Sequence, residues 1–227
     1  CKRIAIQGRI STDGFRTPQV SLVHGNDSTV IHTDNGIRYQ WDVLKNMYSS
    51  GNITEKIRIS KLNLEGQIIV DLFAGIGYFT LPYLVHARAD FVHACEWNSA
   101  AVDALEKNLL LNNVHERCKI YFGDNRLVAP VKVADRVNLG LIPSSKASWK
   151  TACNCLKPTG GVLVIHQNVT DNSVQSEHGS DYVRDNWKDL ILEEIKSISG
   201  SINRPISSLH VIHCSKIKSY APHIDHM

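Results

Sequence analysis

Three acidic residues each close an apolar run: Asp71 after Ile68-Ile69-Val70, Glu96 after Phe91 to Cys95, and Asp124 just beyond Cys118 to Phe122. A carboxylate at the end of a buried strand can accept hydrogen bonds from hydroxyl, amino or cationic groups of a ligand. Asp71 is followed by Leu72-Phe73-Ala74-Gly75-Ile76-Gly77. Gly75 and Gly77 have no side chain, so a ligand can come close to the backbone there. Glu96 stands where an acidic residue after the second strand grips ribose hydroxyls. Asp124-Asn125 can accept from an adenine amino group and donate to a ring nitrogen. Any one of these carboxylates is most simply a helix cap or a solvated turn. Together, at three strand ends, they point to an adenosine-containing ligand.

The elements that must bring them together can be read from the same pattern. Ile68 to Val70 is a buried strand, and a helix pattern runs from Tyr78 to His86. Further strands are expected at Phe91–Cys95, Cys118–Phe122, Ala134–Leu139, Val162–His166 and Leu209–Cys214. Helical spacing fills the gaps from Ala101 to Leu111 (capped by Asn98 or Ser99), Ser144 to Leu156 and Tyr182 to Ser199. Strand and helix in alternation predict an α/β fold with a doubly wound sheet, whose strand ends share one edge. A seventh strand is expected past Met227. Upstream, Ile4 to Asp42 alternates in short runs broken by Gly25-Asn26-Asp27 and Asp34-Asn35-Gly36. That is a small antiparallel platform leaning on the main domain. The expected division is a β-rich lead-in over residues 1–60 and the main domain over 61–227. Met47 to Arg58, polar and glycine-containing, is expected as a functional loop, and Thr170 to Ser180 as a mobile one.

Composition sets wider bounds. The 227 residues are 43% hydrophobic, enough for one sizeable core, and the net charge of +3 permits nucleic acid as a partner without demanding it. The cysteines, Cys1, Cys95, Cys118, Cys153, Cys155 and Cys214, form no C-x-x-C pair. They are expected as free thiols in a reducing compartment, with no metal site. No stretch has the length and apolarity of a membrane span, and no signal peptide pattern opens the chain. The first residue is Cys1 rather than Met, so a fragment is expected.

Asp-x-Phe-Ala-Gly-x-Gly is not the dinucleotide fingerprint, because the third glycine position holds Thr80. It resembles the first motif of class I S-adenosylmethionine-dependent transferases. Their amino-directed methyltransferases carry Asn- or Asp-Pro-Pro-aromatic after the fourth strand. Here the residues are Asn138-Leu139-Gly140-Leu141-Ile142-Pro143-Ser144-Ser145, which suits an acceptor other than an amine. The combination of Asp71 to Thr80, Phe91 to Asn98, Phe122 to Arg126, Asp135 to Ser145, His166 to Val169 and Lys218 to His223 resembles the second enzyme of wybutosine synthesis in eukaryotes. Gln7 to Pro18 and Ser49 to Arg58 match as well, so the resemblance covers essentially the whole chain. It departs at both ends and in a shortened segment around Thr170 to Asp181.

This resemblance implies a tRNA aminocarboxypropyltransferase. S-adenosylmethionine is the co-substrate and gives up its 3-amino-3-carboxypropyl group. The acceptor is a carbon of 4-demethylwyosine beside the anticodon of tRNA(Phe), and 5′-methylthioadenosine is released. Ser49, Lys56, Glu96, Asp124 and Asn125 are the donor-binding positions it carries over, beside Asp71, Gly75 and Gly77 from the motif. Lys56 is expected to hold the donor carboxylate with Ser49 nearby. His166, His223, Asp71 and Asp42 are candidate bases that the sequence does not rank. Trp97, Tyr48 and Tyr220 can stack on a flipped base. The protein is expected to be a cytoplasmic monomer. Rival readings are a tRNA guanine-N1 methyltransferase and a non-catalytic S-adenosylmethionine- or RNA-binding subunit.

Overall fold

A computed structural model describes residues 2–11, 14–170, 180–221 and 224–227. The chain opens with two hairpins: β1 (Ile4–Ile10) pairs antiparallel with β2 (Pro18–His24), and β3 (Thr29–Asp34) with β4 (Ile37–Asp42). The second hairpin turns at Asn35-Gly36, where φ is 48° and 77°. Positive φ at both central residues matches the twist of the flanking strands. Ile37 and Tyr39, two apart on β4, are buried.

Met47 to Arg58 is not the loop expected from its polarity. A short 3-10 turn at Ser50–Asn52 leads into α1 (Ile53–Ser60), which buries Glu55, Lys56 and Ile59. Burial on one face, with the polar groups paired among themselves, outweighs a composition that reads as loop.

The central sheet then forms as β5 (Ile68–Asp71), α2 (Thr80–Val85), β6 (Phe91–Glu96), α3 (Ser99–Leu111), β7 (Cys118–Phe122), α4 (Asn125–Val128), β8 (Arg136–Leu139), α5 (Trp149–Cys155) and β9 (Val162–Ile165). Its strands are parallel in the order β7-β6-β5-β8-β9. The winding reverses between β5 and β8, and a crevice for ligands opens at such a switch point. One apolar cluster joins Ile37, Tyr39, Ile69, Leu81, Leu84, Leu105 and Leu109. A second joins Val70, Leu72, Val137, Leu139, Trp149 and Ile195. Packing on both faces is why apolar residues run consecutively in β5 (Ile68 to Val70) and in β9 rather than alternating. The fold is the doubly wound α/β sheet with a β-rich lead-in that the sequence predicts.

Beyond β9 the expectation needs correcting. β10 (Asn168–Thr170) is followed by α6 (Ser180–Ser201), β11 (Lys218–Ala221) and β12 (Ile224–His226), and β10, β12 and β11 form a separate antiparallel sheet. Leu209 to Cys214 is irregular rather than a sixth strand. Its apolar residues find no ladder, and Val211 and Ile212 face solvent. The expected Thr170–Ser180 loop lies almost wholly outside the described residues, as does His223. Among the described residues no helix is long and apolar enough to cross a membrane.

Candidate functional site

The site is built along the carboxyl ends of β7, β6 and β5. Glu96 closes β6, half-buried. Its Oε2 accepts the Gly75 N–H at 2.8 Å, and its Oε1 accepts the N–H groups of Trp97 and Asn98 at 2.9 and 2.8 Å. Three backbone donors thus fix the carboxylate in one orientation. Desolvation by burial still holds its pKa above the usual carboxylate range, because loss of water outweighs the bonds gained.

Gly75 and Gly77 have φ of 56° and 103°. A Cβ on Gly75 would lie 2.6 Å from the Tyr78 ring, and one on Gly77 would lie 3.0 Å from Leu81. Only glycine is at ease in this left-handed turn. The Tyr78 hydroxyl reaches across and donates to the Met47 carbonyl at 2.5 Å. That bond ties the segment before Ser49 to the glycine turn, so Ser49 is brought to the site.

One strand further along, Asp124 caps α4 by accepting the Arg126 N–H at 2.9 Å, and its carboxylate pairs with the Arg126 guanidinium. That partner holds the Asp124 carboxyl below its ordinary range. Asn125 is beside it, but its side chain turns inward. Nδ2 donates to the Leu72 carbonyl at 3.0 Å and Oδ1 accepts the Ser148 hydroxyl at 2.8 Å. The expected contact from the Asn125 amide to a ring nitrogen is therefore corrected. What it can offer is its backbone N–H, in the first helical turn, where N–H groups have no intrahelical acceptor.

Two more expectations change. Asp71 is completely buried, and its carboxylate accepts the Thr80 hydroxyl at 2.8 Å and the Asn138 amide at 3.0 Å. It braces the glycine turn from beneath and does not face a ligand. Lys56 is only 2% exposed. Its Nζ is 2.8 Å from Asp34 and 3.2 Å from the Tyr48 hydroxyl, over the rings of Tyr39 and Tyr48. Burial pulls the Lys56 pKa down while Asp34 opposes that shift. Its charge is already neutralised, so a donor carboxylate brought to it would have to displace Asp34.

The other described candidate bases are enclosed to different degrees. His166 is buried, with Nδ1 3.1 Å from His226 Nε2 and its ring against Phe79. Burial lowers its pKa to about 4. Asp42 is partly buried and accepts the Leu44 N–H at 3.0 Å. Of the aromatics, Tyr48 packs against Trp41, while Trp97 is 45% exposed beside Glu96. The side chain of Tyr220 lies outside the described residues. Five cysteines are free thiols, and no metal-holding group of side chains occurs among the described residues. A cavity of about 520 Å³ by the outer edge of β9 includes none of these carboxylates.

The sequence did not single out Tyr78 or Asn108. Asn108 donates to the Ile76 carbonyl inside the glycine turn at 2.9 Å. A polar residue between Leu105 and Leu109, on the inward face of a helix, was the available signal.

Residues 30–188 match the family described as the TRM5/TYW2 methyltransferase domain. The chain is similar over its whole length to the tRNA wybutosine-synthesizing protein 2 homolog of Mus musculus, at 46% identity and 59% of that protein's length. It thus spans about three-fifths of the curated relative. Among solved structures, M. jannaschii TYW2 in complex with AdoMet matches with a TM-score of 0.74 and 30% identity over 91% of this chain and 86% of that one. Trm5b from Pyrococcus abyssi matches with a TM-score of 0.76 and 27% identity over 99% of this chain and 62% of that one.

Proposed function

Because this chain belongs to the TRM5/TYW2 methyltransferase-domain family, we propose that it is a tRNA aminocarboxypropyltransferase of wybutosine synthesis. It moves the 3-amino-3-carboxypropyl group of S-adenosylmethionine to 4-demethylwyosine beside the anticodon of tRNA(Phe). The observation that carries the reading is the row of acceptors along the sheet edge. Glu96 takes the ribose hydroxyls, and Asp124 with the Asn125 backbone N–H takes adenine. The methionine arm lies across Gly75 and Gly77, with Ser49 above. The likeness to M. jannaschii TYW2, solved with AdoMet, supports the donor. Whole-chain similarity to wybutosine-synthesizing protein 2 supports the acceptor.

The chemistry asks little of the protein. A sulfonium has three carbons open to attack, and the one aimed at the nucleophile reacts. Such alignment is worth at best about 7 to 11 kcal/mol. The neutral thioether leaves as 5′-methylthioadenosine without a general acid, and the acceptor carbon gives up its proton to a base as its new bond to the 3-amino-3-carboxypropyl group forms. The guanine-N1 methyltransferase reading is disfavoured by Asn138. That side chain is completely buried and bonded to Asp71 and Tyr83, so it is not placed to grip a target amine. Trp97 at the rim can stack on the incoming base. The protein acts as a monomer in the cytoplasm.

Labelled donor tests this. S-adenosylmethionine with one label on the methyl and another on the carboxyl is incubated with the protein and tRNA(Phe) bearing demethylwyosine. Carboxyl label is expected in the RNA, with methyl label in released methylthioadenosine. Methyl label in the RNA would make the protein a methyltransferase.

A further inference from the structure

The crevice at the sheet edge has two walls. It opens where the winding reverses, between β5 and β8. The glycine turn after β5 is one wall, and in the reading above the methionine arm lies across it. The loop after β8, residues 140–143, is the other. An acceptor brought to the donor's sulfonium enters between them, so the gap between the walls sets how the two reactants meet.

The loop is fixed on both sides of Gly140. Before it, the Leu72 N–H donates to the Asn138 carbonyl at 3.0 Å and the His166 N–H to the Leu139 carbonyl at 3.2 Å. After it, the Asn168 N–H donates to the Pro143 carbonyl at 2.8 Å. Gly140 itself meets the other wall. A Cβ there would lie 2.7 and 2.9 Å from two atoms of the Phe79 ring and 3.3 Å from Asn138 Nδ2. Its φ is not in the left-handed region, so the position is glycine for the space and not for the backbone. Phe79 caps α2, two residues after Gly77. Its ring has nowhere to swing, because it is buried against the buried His166 ring, with centroids 5.0 Å apart, and His166 is backed by His226. Asn138 is held as firmly, by its bond to Asp71.

We propose that Gly140 is a positioning residue: by lacking a side chain it lets Phe79 set the width of the crevice, and that width lines up the acceptor carbon with the donor's aminocarboxypropyl carbon. This rests on the transfer reading above. A misplacement of about 1 Å at the reacting atoms can cost about a hundredfold in rate. A methyl group wedged between a buried ring and a loop tied at both ends forces a shift of that order.

The test follows a single turnover of carboxyl-labelled S-adenosylmethionine on tRNA(Phe) bearing demethylwyosine, with donor affinity measured by calorimetry. Gly140→Ala should slow transfer about a hundredfold and leave donor affinity unchanged. Phe79→Leu removes the edge of the spacer and should slow transfer about tenfold, again with the donor bound as before. The double variant should match Phe79→Leu alone, about tenfold faster than Gly140→Ala, because the added methyl takes the room the ring gave up. Independent effects would instead multiply to a loss of about a thousandfold. That product would overturn the proposal, and so would Gly140→Ala at the wild-type rate. Phe79→Leu at the wild-type rate would overturn it even if Gly140→Ala did not fold. Donor affinity that falls in step with transfer would also overturn it, by making the contact merely structural. Wild-type protein that moves no label overturns the transfer reading, and the proposal with it.

Discussion

Glu96 combines a fixed orientation with an expensive charge. Its three backbone donors leave it no rotamer to search when a ribose arrives, and that preorganisation is what makes a bidentate grip selective. Glu96→Gln keeps the shape but turns one acceptor oxygen into a donor, facing either Gly75 N–H or the N–H groups of Trp97 and Asn98. Donor affinity should fall by about ten- to a hundredfold in calorimetry. The pH dependence has a definite sign. The carboxylate must be ionised to accept ribose hydroxyls, and its folded pKa lies above the ordinary range because burial disfavours the charge. Affinity is thus full well above that raised pKa and is lost as pH falls through it. The loss should begin at higher pH than the about 4.3 of an unperturbed glutamate would give. Asp124, held down by Arg126, stays ionised over the same range and contributes no loss there. Affinity that stays flat down to the unperturbed range would remove Glu96 from the ribose position. The sequence placed both residues at strand ends. It could not show that Asn125, Asp71 and Lys56 spend their side chains inside the protein, since a side chain's direction is decided by neighbours distant in the chain.

At the scale of elements, the glycine turn is the joint between β5 and α2, and its two glycines can be tested against a third. Gly75→Ala must hold an L-residue at φ 56°, costing roughly 1–2 kcal/mol, and its Cβ would meet the Tyr78 ring at 2.6 Å. Displacing Tyr78 breaks its bond to the Met47 carbonyl and frees the segment carrying Ser49. Gly66 has φ 80° and nothing within 4 Å of a Cβ. Gly66→Ala should therefore show the backbone cost alone in urea unfolding, with donor affinity intact, whereas Gly75→Ala should lose both stability and affinity. Equal affinities in the two variants would mean that the turn does not touch the donor. The central strands were legible because each carries a short apolar-rich run, unbroken at Ile68 to Val70 and at Val162 to Ile165. Leu209 to Cys214 has the same composition but no strand to pair with, and pairing is a property of two segments rather than one. The helix at Ile53–Ser60 was hidden for the opposite reason: Glu55 and Lys56 read as solvent-facing charges, yet Glu55 pairs with Arg58 and Lys56 with Asp34 in its interior.

Across the whole molecule, the question is what holds the lead-in hairpin to the sheet that carries the site. β4 pairs with β3 on one side only, and its other edge is met by a helix instead of a strand. Asn108 Oδ1 accepts the Gln40 N–H at 2.6 Å, while Asn112 accepts the Arg38 N–H at 3.0 Å and donates to the Arg38 carbonyl at 2.7 Å. Two asparagines four apart, Asn108 on α3 and Asn112 at its C-terminal cap, thus imitate a neighbouring strand and cover an edge that would otherwise be exposed. Asn108 adds a second link through Nδ2 to the Ile76 carbonyl. One buried amide therefore joins the hairpin, α3 and the glycine turn. Asn108→Leu keeps the volume and removes both bonds, leaving the Gln40 N–H and the Ile76 carbonyl without partners. Each such group costs about 1–3 kcal/mol, so stability in urea should drop by roughly 2–5 kcal/mol. The discriminating readout is amide exchange. The Gln40 N–H should exchange far faster in the variant, while the hairpin's inner ladder, such as His32 with Tyr39, keeps its protection relative to the new global stability. Donor affinity should fall as well, because the Ile76 carbonyl lies between the two glycines. If Gln40 kept its protection and the donor bound as before, the hairpin would be held by its apolar face alone, through Ile37 and Tyr39.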